Sequence, residues 1–303
     1  MTKHYLTELD VTPKATWDLV QEAIRLKAER ARNERRDVLA GKHIALYFEK
    51  PSVRTRVSFT VGVQELGGQV VELAASNTKL GRGEEVSDFS RVMGRYVHGL
   101  VARVFDQRRL ETMATHAGIP VVNALSDARH PCQALADVQT IVERKGRIEG
   151  VKFGFVGDGN NVAASTGLLC AALGADVTVA SPEGFELPEA IQAQGKELAG
   201  RFRQVEDVDE AVVGADVLYT DTWVSMGQEE ERMERLAKFR AYTIDTNVLR
   251  KAAPDCSVMH CLPAVVGDEI AADVMYGTQS AIWDQAENRL HAQKALLCSL
   301  FSE

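Results

Sequence analysis

The chain has 303 residues, of which 45% are hydrophobic and 26% are charged, and this ordinary globular composition excludes a disordered chain, a collagen and a coiled coil. Asp and Glu number 43 against 35 Lys and Arg, so the net charge is −8, which disfavours binding to nucleic acid or to an anionic membrane. At about 100–200 residues per domain, the length predicts two domains.

The cysteines and the apolar segments bear on the compartment. The five cysteines are scattered and form no CxxC pair, which favours a reducing compartment and argues against a disulfide framework or a zinc site. The N-terminus lacks the apolar run of a signal peptide, and no apolar stretch approaches the roughly 20 residues that a membrane-spanning helix needs. We therefore expect a cytoplasmic protein with no metal site and no membrane partner.

The predicted elements follow an α/β pattern. The first helix begins after Thr12, with Pro13 at its first position. Apolar runs predict strands at 43–48, 70–73, 100–105, 120–124, 151–156, 176–180, 217–221 and 256–259. Helical patterns between them cover 54–66, 110–117, 131–144, 162–173 and 229–239. The alternation predicts βαβ units and parallel sheets covered by helices on both faces.

A polar stretch at 145–150, which contains two glycines, precedes a fresh strand and marks the predicted domain boundary. The first domain is then residues 1–145 and the second begins at residue 146. In sheets of this kind, ligands bind in the loops beyond the carboxyl ends of the strands. The residues that directly follow the apolar runs are therefore the candidates for function.

An anion site is predicted after the first strand. Ser52, Arg54, Thr55 and Arg56 crowd the first turn of the following helix, where free backbone N–H groups and the positive end of the dipole favour an anion. Hydroxyl groups add donors, and arginine suits phosphate oxygens. Because arginine in a first turn opposes the helix dipole, we favour phosphate binding over a simple cap with surface arginines.

A second candidate site follows the fourth strand. His130-Pro131-Cys132-Gln133 opens a helix, and Pro131 is typical of a helix start. An imidazole donor in this place is suited to a developing oxyanion. The spacing alone also allows His130 as a cap and Gln133 as a solvated residue.

A glycine-bearing loop opens the second domain. Gly157-Asp158-Gly159-Asn160-Asn161 follows strand 151–156, as in the start of a dinucleotide-binding fingerprint. Two features weaken that interpretation: Val162 occupies the third glycine position, and the next strand ends at Ser181 where a carboxylate is expected.

Two further strands end in reactive side chains. Asp221 ends the run 217–221, and His260-Cys261-Leu262-Pro263 follows the run 256–259. Taken singly, Asp221 is typical of a turn or a cap and His260-Cys261 of a buried pair.

Together these segments resemble the aspartate and ornithine carbamoyltransferase family. Its motifs SxRTR, HPxQ, HCLP and QAENR match residues 52–56, 130–133, 260–263 and 285–289, and Arg103 matches its next phosphate-binding arginine. The loops 157–161 and 221–227 are similar to GDGNN and DxWxSMG of the ornithine enzymes, and the aspartate enzymes do not carry the second loop.

The resemblance implies transfer of a carbamoyl group from carbamoyl phosphate to the δ-amine of L-ornithine, giving L-citrulline and phosphate in arginine biosynthesis, without a cofactor. The carbamoyl phosphate-binding residues that it implies are Ser52, Val53, Arg54, Thr55, Arg56, Lys79, Arg103, His130, Gln133, Leu262 and Arg289. The ornithine-binding residues that it implies are Asn161, Asp221, Ser225, Met226 and Cys261. The catalytic residues among them are Arg103, His130, Asp221 and Cys261.

The resemblance also implies an architecture and an assembly. The final helix, within residues 285–303, is expected to pack back on the first domain, which leaves 146–284 as the ornithine-binding domain. A homotrimer or a multiple of trimers is expected. The chain departs from the family at Lys79, where many ornithine enzymes have a glutamine that contacts a neighbouring subunit's site, and at Val266, where an arginine is usual.

Three alternatives stay open at this point. One is a carbamoyltransferase for another amine, such as an acylated ornithine or a diamine. The second is an NAD-dependent oxidoreductase, and the third is a non-catalytic relative that keeps the pocket as a binding site. The direction of the reaction in metabolism, anabolic or catabolic, is equally open.

Overall fold

The computed structural model describes residues 4–74, 80, 83–224 and 229–302. The chain forms two compact units, one of Met1–Gln139 with Asn288–Glu303 and the other of Thr140–Glu287. The domain limits inferred from the sequence stay a prediction.

The first unit is built on a four-stranded parallel sheet of order β2-β1-β3-β4. Its strands are β1 His43–Phe48, β2 Gln69–Ala74, β3 Gly99–Arg103 and β4 Val121–Leu125. Its helices are α1 Pro13–Ala31, α2 Val53–Glu65, α3 Val86–Tyr96 and α4 Gln107–Ala117, and α5 Pro131–Lys145 starts within it. The Thr12 hydroxyl caps α1 by accepting from the N–H of Ala15, as the sequence predicts.

The second unit is built on a five-stranded parallel sheet of order β7-β6-β5-β8-β9. Its strands are β5 Lys152–Val156, β6 Asp176–Ala180, β7 Arg201–Val205, β8 Val217–Thr220 and β9 Ser257–His260. The helices that follow α5 are α6 Asn161–Ala172, α7 Glu189–Lys196, α8 Val208–Val212, α9 Arg232–Phe239, α10 Thr246–Leu249, α11 Ala272–Met275 and α12 Ile282–Phe301. The predicted α/β fold with two parallel sheets is confirmed.

The final helix, α12, packs on the first unit from Asn288 onward. Lys27 Nζ of α1 donates to Asn288 Oδ1 at 2.8 Å, and Lys294 Nζ lies 2.8 Å from Glu65 Oε2 at the end of α2. The expected return of the last helix to the first domain is therefore confirmed. Among the described residues, no helix is both long and apolar enough to cross a bilayer.

Because all strands of each sheet are parallel, the loops after their carboxyl ends meet at one edge of that sheet. In the first unit, these loops start at Glu49, Val104 and Ser126, after β1, β3 and β4. In the second unit, the loop before α6, the loop that starts at Asp221 and the loop that starts at Cys261 follow β5, β8 and β9. Most of the residues selected from the sequence lie in or beside these loops.

Candidate active site

The first turn of α2 has the structure expected of an anion site. Ser52 is the N-cap and its hydroxyl accepts from the N–H of Thr55 at 3.4 Å. No acidic side chain lies in this turn. Arg54 and Val53 are exposed, whereas Thr55 is buried. Local sequence produces this arrangement, since a serine before the helix satisfies an N–H group and leaves the remaining first-turn donors for a ligand.

Arg56 lies on a different side of the same turn. Its Nε is 3.5 Å from Glu72 Oε2 of β2, and its guanidinium lies 5.3 Å from the centre of the Phe48 ring. The structure therefore places Arg56 beside the sheet edge formed by β2 and does not group it with the buried site residues.

Five predicted carbamoyl phosphate residues form a buried cluster in the first unit. Arg289 donates through Nη1 to Gln133 Oε1 at 2.6 Å and through Nη2 to Thr55 Oγ1 at 3.4 Å. Arg103 and His130 are buried as well, and both arginines act electrostatically on the imidazole. Segments far apart in the chain thus supply one cluster with two positive charges: α2, β3, the start of α5 with the residue before it, and α12.

The electrostatic environment keeps His130 neutral. Burial lowers the pKa of His130 well below its ordinary value, and the positive charges of Arg289 and Arg103 lower it further. A neutral imidazole can donate one hydrogen bond to an oxyanion without adding a third cation to the cluster.

The other members of the HPxQ segment pack locally. Gln133 Nε2 donates to Asp137 Oδ1 at 2.7 Å, so the amide is oriented with its oxygen toward Arg289. The Cys132 thiol is buried, which raises its pKa to about 12, and it donates to the carbonyl of Asn123 at 3.3 Å. Cys132 therefore has a packing role, as its place between the motif residues suggests.

A second group of predicted residues comes together in the other unit. Asp221 directly follows β8 and Cys261 directly follows β9, and the two strands are neighbours in the sheet. The Cys261 thiol donates to Asp221 Oδ1 at 3.0 Å. The carboxylate and the thiol that the resemblance assigns to ornithine binding are therefore in direct contact in the structure.

Asn160 is a functional candidate that the sequence interpretation missed in favour of Asn161. Its Oδ1 caps α6 by accepting from the N–H groups of Val162 and Ala163 at 2.9 and 3.1 Å. Its Nδ2 donates to Asp221 Oδ2 at 2.8 Å. An asparagine directly before a helix is a recognisable cap signal, but its contact with Asp221 has no signature in the sequence. Asn161 is the first residue of α6 and is half-buried.

Asp158 and Arg235 form a buried ion pair beside the same site. Arg235 Nη1 donates to Asp158 Oδ2 and to the carbonyl of Trp223, both at 3.0 Å. Burial raises the pKa of Asp158 to about 6, because desolvation outweighs the attraction to Arg235 and the nearby charge of Asp221 adds to it. This pair connects the loop before α6 with the loop after β8.

Asp221, His260 and Cys261 have potential metal-ligand atoms within 4.8 Å of one another, and they are the one such group in the described part of the chain. Both ring nitrogens of His260 already make hydrogen bonds, to the N–H of Leu262 and to Glu269. A metal at this place would have to break one of these bonds. Lys79, Ser225 and Met226 lie outside the described residues, and their roles stay predictions.

With this geometry established, the comparisons with known proteins place the chain in a family. Residues 3–143 match the family model for the aspartate/ornithine carbamoyltransferase carbamoyl-P binding domain, and residues 149–300 match that for the Asp/Orn binding domain. The chain belongs to the aspartate/ornithine carbamoyltransferase family.

Within the family, proteins similar to this chain include ornithine carbamoyltransferases. The enzyme of that name from Acidothermus cellulolyticus is 51% identical over 304 residues, covering 99% of this chain and 97% of the relative. The relative from Pyrococcus furiosus that is named ornithine carbamoyltransferase, anabolic, is 47% identical over 292 residues, with 95% and 93% covered. A solved structure of ornithine carbamoyltransferase from Pyrococcus furiosus matches with a TM-score of 0.95 at 46% identity and covers 98% of this chain and 96% of that chain.

Proposed function

We propose that this protein transfers the carbamoyl group of carbamoyl phosphate to the δ-amine of L-ornithine, giving L-citrulline and phosphate in arginine biosynthesis. The observation that carries the proposal is the buried contact of Arg289 with Thr55 and Gln133, next to a neutral His130. In the proposal, arginines at this place hold the phosphate group of carbamoyl phosphate, which is the leaving group. The imidazole of His130 then donates a hydrogen bond to the carbonyl oxygen. The names of the full-length relatives support ornithine over the other amines and over NAD chemistry.

In this proposal the first unit activates the carbonyl. Ser52, Val53, Arg54, Thr55, Arg56, Lys79, Arg103 and Arg289 bind the phosphate group, and Gln133 and the Leu262 carbonyl contact the carbamoyl nitrogen. Thr55, Arg103 and His130 stabilise the charge that develops on the carbonyl oxygen. Donors fixed before the reaction lower the barrier because they need not reorganise during it.

The second unit presents the amine. Asn161, Asp221, Ser225 and Met226 bind the amino acid part of ornithine, and Cys261 with Asp221 orients the attacking nitrogen. A lysine-like ammonium has a pKa near ~10.4 and has no lone pair for attack until it loses a proton. Turnover should therefore rise with pH in the neutral range.

We propose further that residues 1–145 with 285–303 form the carbamoyl phosphate-binding domain and residues 146–284 the ornithine-binding domain. We also propose that the protein works in the cytoplasm as a homotrimer or a multiple of trimers, as its family resemblance implies. Light scattering coupled to size-exclusion chromatography tests the assembly, and a monomer at assay concentration would contradict it.

Release of phosphate from carbamoyl phosphate tests the activity, with ornithine, aspartate, an acylated ornithine and putrescine supplied in parallel, and a colorimetric assay identifies citrulline as the product formed from ornithine. We expect phosphate release above spontaneous hydrolysis with ornithine alone. Arg54→Ala should lose turnover by about 10²-fold or more, because a charge at the phosphate is removed. The control is Arg108→Ala, which removes an exposed arginine paired with Asp106 on α4. No citrulline from the wild type, or full activity of Arg54→Ala, contradicts the proposal.

A further inference from the structure

His260 is a fully buried histidine at the end of β9 to which the proposed reaction gives no role. Its Nδ1 accepts from the N–H of Leu262 at 2.9 Å. Its Nε2 lies 3.1 Å from Glu269 Oε1. Because a backbone N–H can only donate, Nδ1 is the acceptor, and the proton of the ring therefore lies on Nε2 and points at the carboxylate. Both ring nitrogens of His260 thus form hydrogen bonds, one with the backbone of Leu262 and one with Glu269.

Glu269 is equally buried and joins the two ends of one loop. The oxygen that accepts from His260 also accepts from the N–H of Val265 at 2.6 Å. The backbone carbonyl of Glu269 accepts from the N–H of Ile244 at 2.9 Å, which fixes this residue from another direction. One carboxylate oxygen therefore connects the residue before the loop 261–264 with the residue after it.

A third buried side chain fixes His260 from α12. Gln285 Oε1 accepts from the backbone N–H of His260 at 2.8 Å, and Gln285 Nε2 donates to Tyr219 Oη of β8 at 2.9 Å. The position of the histidine is therefore set by β8, α12 and Glu269 together.

The loop that these residues hold carries two groups of the proposed site. Leu262 has a φ of +62°, a left-handed conformation that is unfavourable for a non-glycine residue and persists only where its surroundings enforce it. Its N–H is the one bonded to His260. The thiol of the preceding Cys261 donates to Asp221 Oδ1. The orientation of both the Leu262 carbonyl and the Cys261 thiol thus depends on an unfavourable backbone conformation.

We propose that His260 and Glu269 are positioning residues that hold the Leu262 carbonyl and the Cys261 thiol in place for the carbamoyl nitrogen and the attacking amine. The inference rests on the proposed function, which gives those two groups their contacts. Neither His260 nor Glu269 touches a substrate. They act by keeping the loop 261–264 in its strained conformation.

The contacts of Glu269 do not require its negative charge. The ring N–H of His260 and the backbone N–H of Val265 donate to the same oxygen of Glu269, and an amide oxygen in that place can accept both hydrogen bonds. Glu269→Gln should therefore retain the loop, whereas Glu269→Ala should release it. His260→Asn keeps an acceptor close to the N–H of Leu262, but the asparagine side chain is too short to donate to Glu269. This variant therefore tests the hydrogen bond between His260 and Glu269.

The experiment compares these three variants with the wild type in steady-state citrulline formation. We expect kcat to fall at least about 10-fold in Glu269→Ala and in His260→Asn, because small misplacements of reacting groups have effects of this size or larger. Glu269→Gln should stay within a few-fold of the wild type. The inhibition constant of inorganic phosphate, which probes only the arginine cluster of the first unit, should be unchanged in all three.

The matched control is Tyr242→Phe, which removes a hydrogen bond to the carbonyl of Glu206 elsewhere in the second unit. It should keep kcat even if its melting temperature falls as far as that of His260→Asn. Equal losses of kcat in Glu269→Gln and Glu269→Ala would overturn the inference, as would full activity of His260→Asn. If Glu269→Ala does not fold, Glu269→Gln against His260→Asn decides alone. Failure of the proposed function is separate, since the wild type would then make no citrulline.

Discussion

At the scale of single residues, His130 shows how burial selects a protonation state. The neighbouring arginines and the loss of solvent both lower the pKa of its ring, so His130 is neutral throughout the range in which the reaction is expected to run. In the proposed reaction, the histidine is then a fixed donor that does not exchange protons during turnover.

His130→Ala tests this role through the pH dependence of kcat. We expect kcat to fall by about 10²-fold, the usual effect of removing one oxyanion donor. The rise of activity with pH should keep its shape, because deprotonation of the ornithine amine causes it. The control is His116→Ala on α4. An acid limb near pH 6.5 that is present in the wild type and absent in His130→Ala would show that His130 titrates.

Asn160 combines the cap of α6 with a hydrogen bond to Asp221, a residue of the proposed ornithine site, in one side chain. Asn160→Ala should lose about 1 kcal/mol of stability through the missing cap of α6, and the KM for ornithine should rise because Asp221 loses a partner. Asn160→Asp keeps the cap but places a second carboxylate against Asp221, so its KM should rise further.

Thr12→Ala is the matched control for Asn160, since it removes the N-cap of α1 in the other unit. It should lower the free energy of unfolding similarly, as measured in urea, and leave the KM for ornithine unchanged. An Asn160→Ala enzyme with the wild-type KM would show that the bond to Asp221 is dispensable.

At the scale of elements, the apolar runs predicted most strands because both faces of a parallel strand are buried. β3 and β4 are buried along their whole length and were found in this way. β7 was missed, since only Phe202 of its five residues is buried and the strand lies at the edge of the sheet. α3 was missed because the buried residues of its 11-residue span are Phe89 and Ser90 alone.

The contact between α3 and α4 depends on a glycine. A Cβ atom added at Gly94 would lie 1.8 Å from the carbonyl oxygen of Ala117. Gly94→Ala must therefore separate the two helices, and we expect a loss of about 1–3 kcal/mol in the free energy of unfolding, which is typical of overpacking.

Gly62→Ala is the control for that prediction. Gly62 lies inside α2, so alanine brings a similar gain in helix propensity, but the nearest atom to its Cβ is the side-chain Lys294 Cγ at 3.3 Å, a contact that a shift of a few tenths of an ångström relieves. Urea unfolding should find Gly62→Ala close to neutral or stabilised. Equal stability of the two variants would mean that α3 and α4 can move apart without cost.

At the scale of the whole molecule, the sequence predicted which strands precede the candidate site residues. The parallel topology of each sheet brings the loops after its own strands to one edge. The sequence did not predict which buried or half-buried side chains pair with each other: Asp158 with Arg235, His260 with Glu269, and Glu8 with Arg129. Each pair joins side chains from different segments, at 3.0, 3.1 and 2.6 Å. Local periodicity carries no information about such contacts, because they depend on how the elements pack.

The buried Asp158 makes the stability of the whole molecule depend on pH. Two effects oppose each other at this carboxyl: burial disfavours its charge, and the guanidinium of Arg235 at 3.0 Å favours it. Burial prevails and raises the pKa from 3.8 to about 6, since Asp221 and Glu231 also lie near and repel a further negative charge. Between these two values the folded protein binds more protons than the unfolded chain.

This contribution to the free energy of unfolding is therefore fully present below pH 3.8 and is lost as the pH rises through about 6. Asp158→Asn cannot titrate, so urea unfolding of both proteins at a series of pH values isolates the group. The wild-type value minus the variant value should fall between pH 4 and 6 and stay level from pH 7 to 8. A difference that increases with pH would mean that the attraction of Arg235 outweighs desolvation.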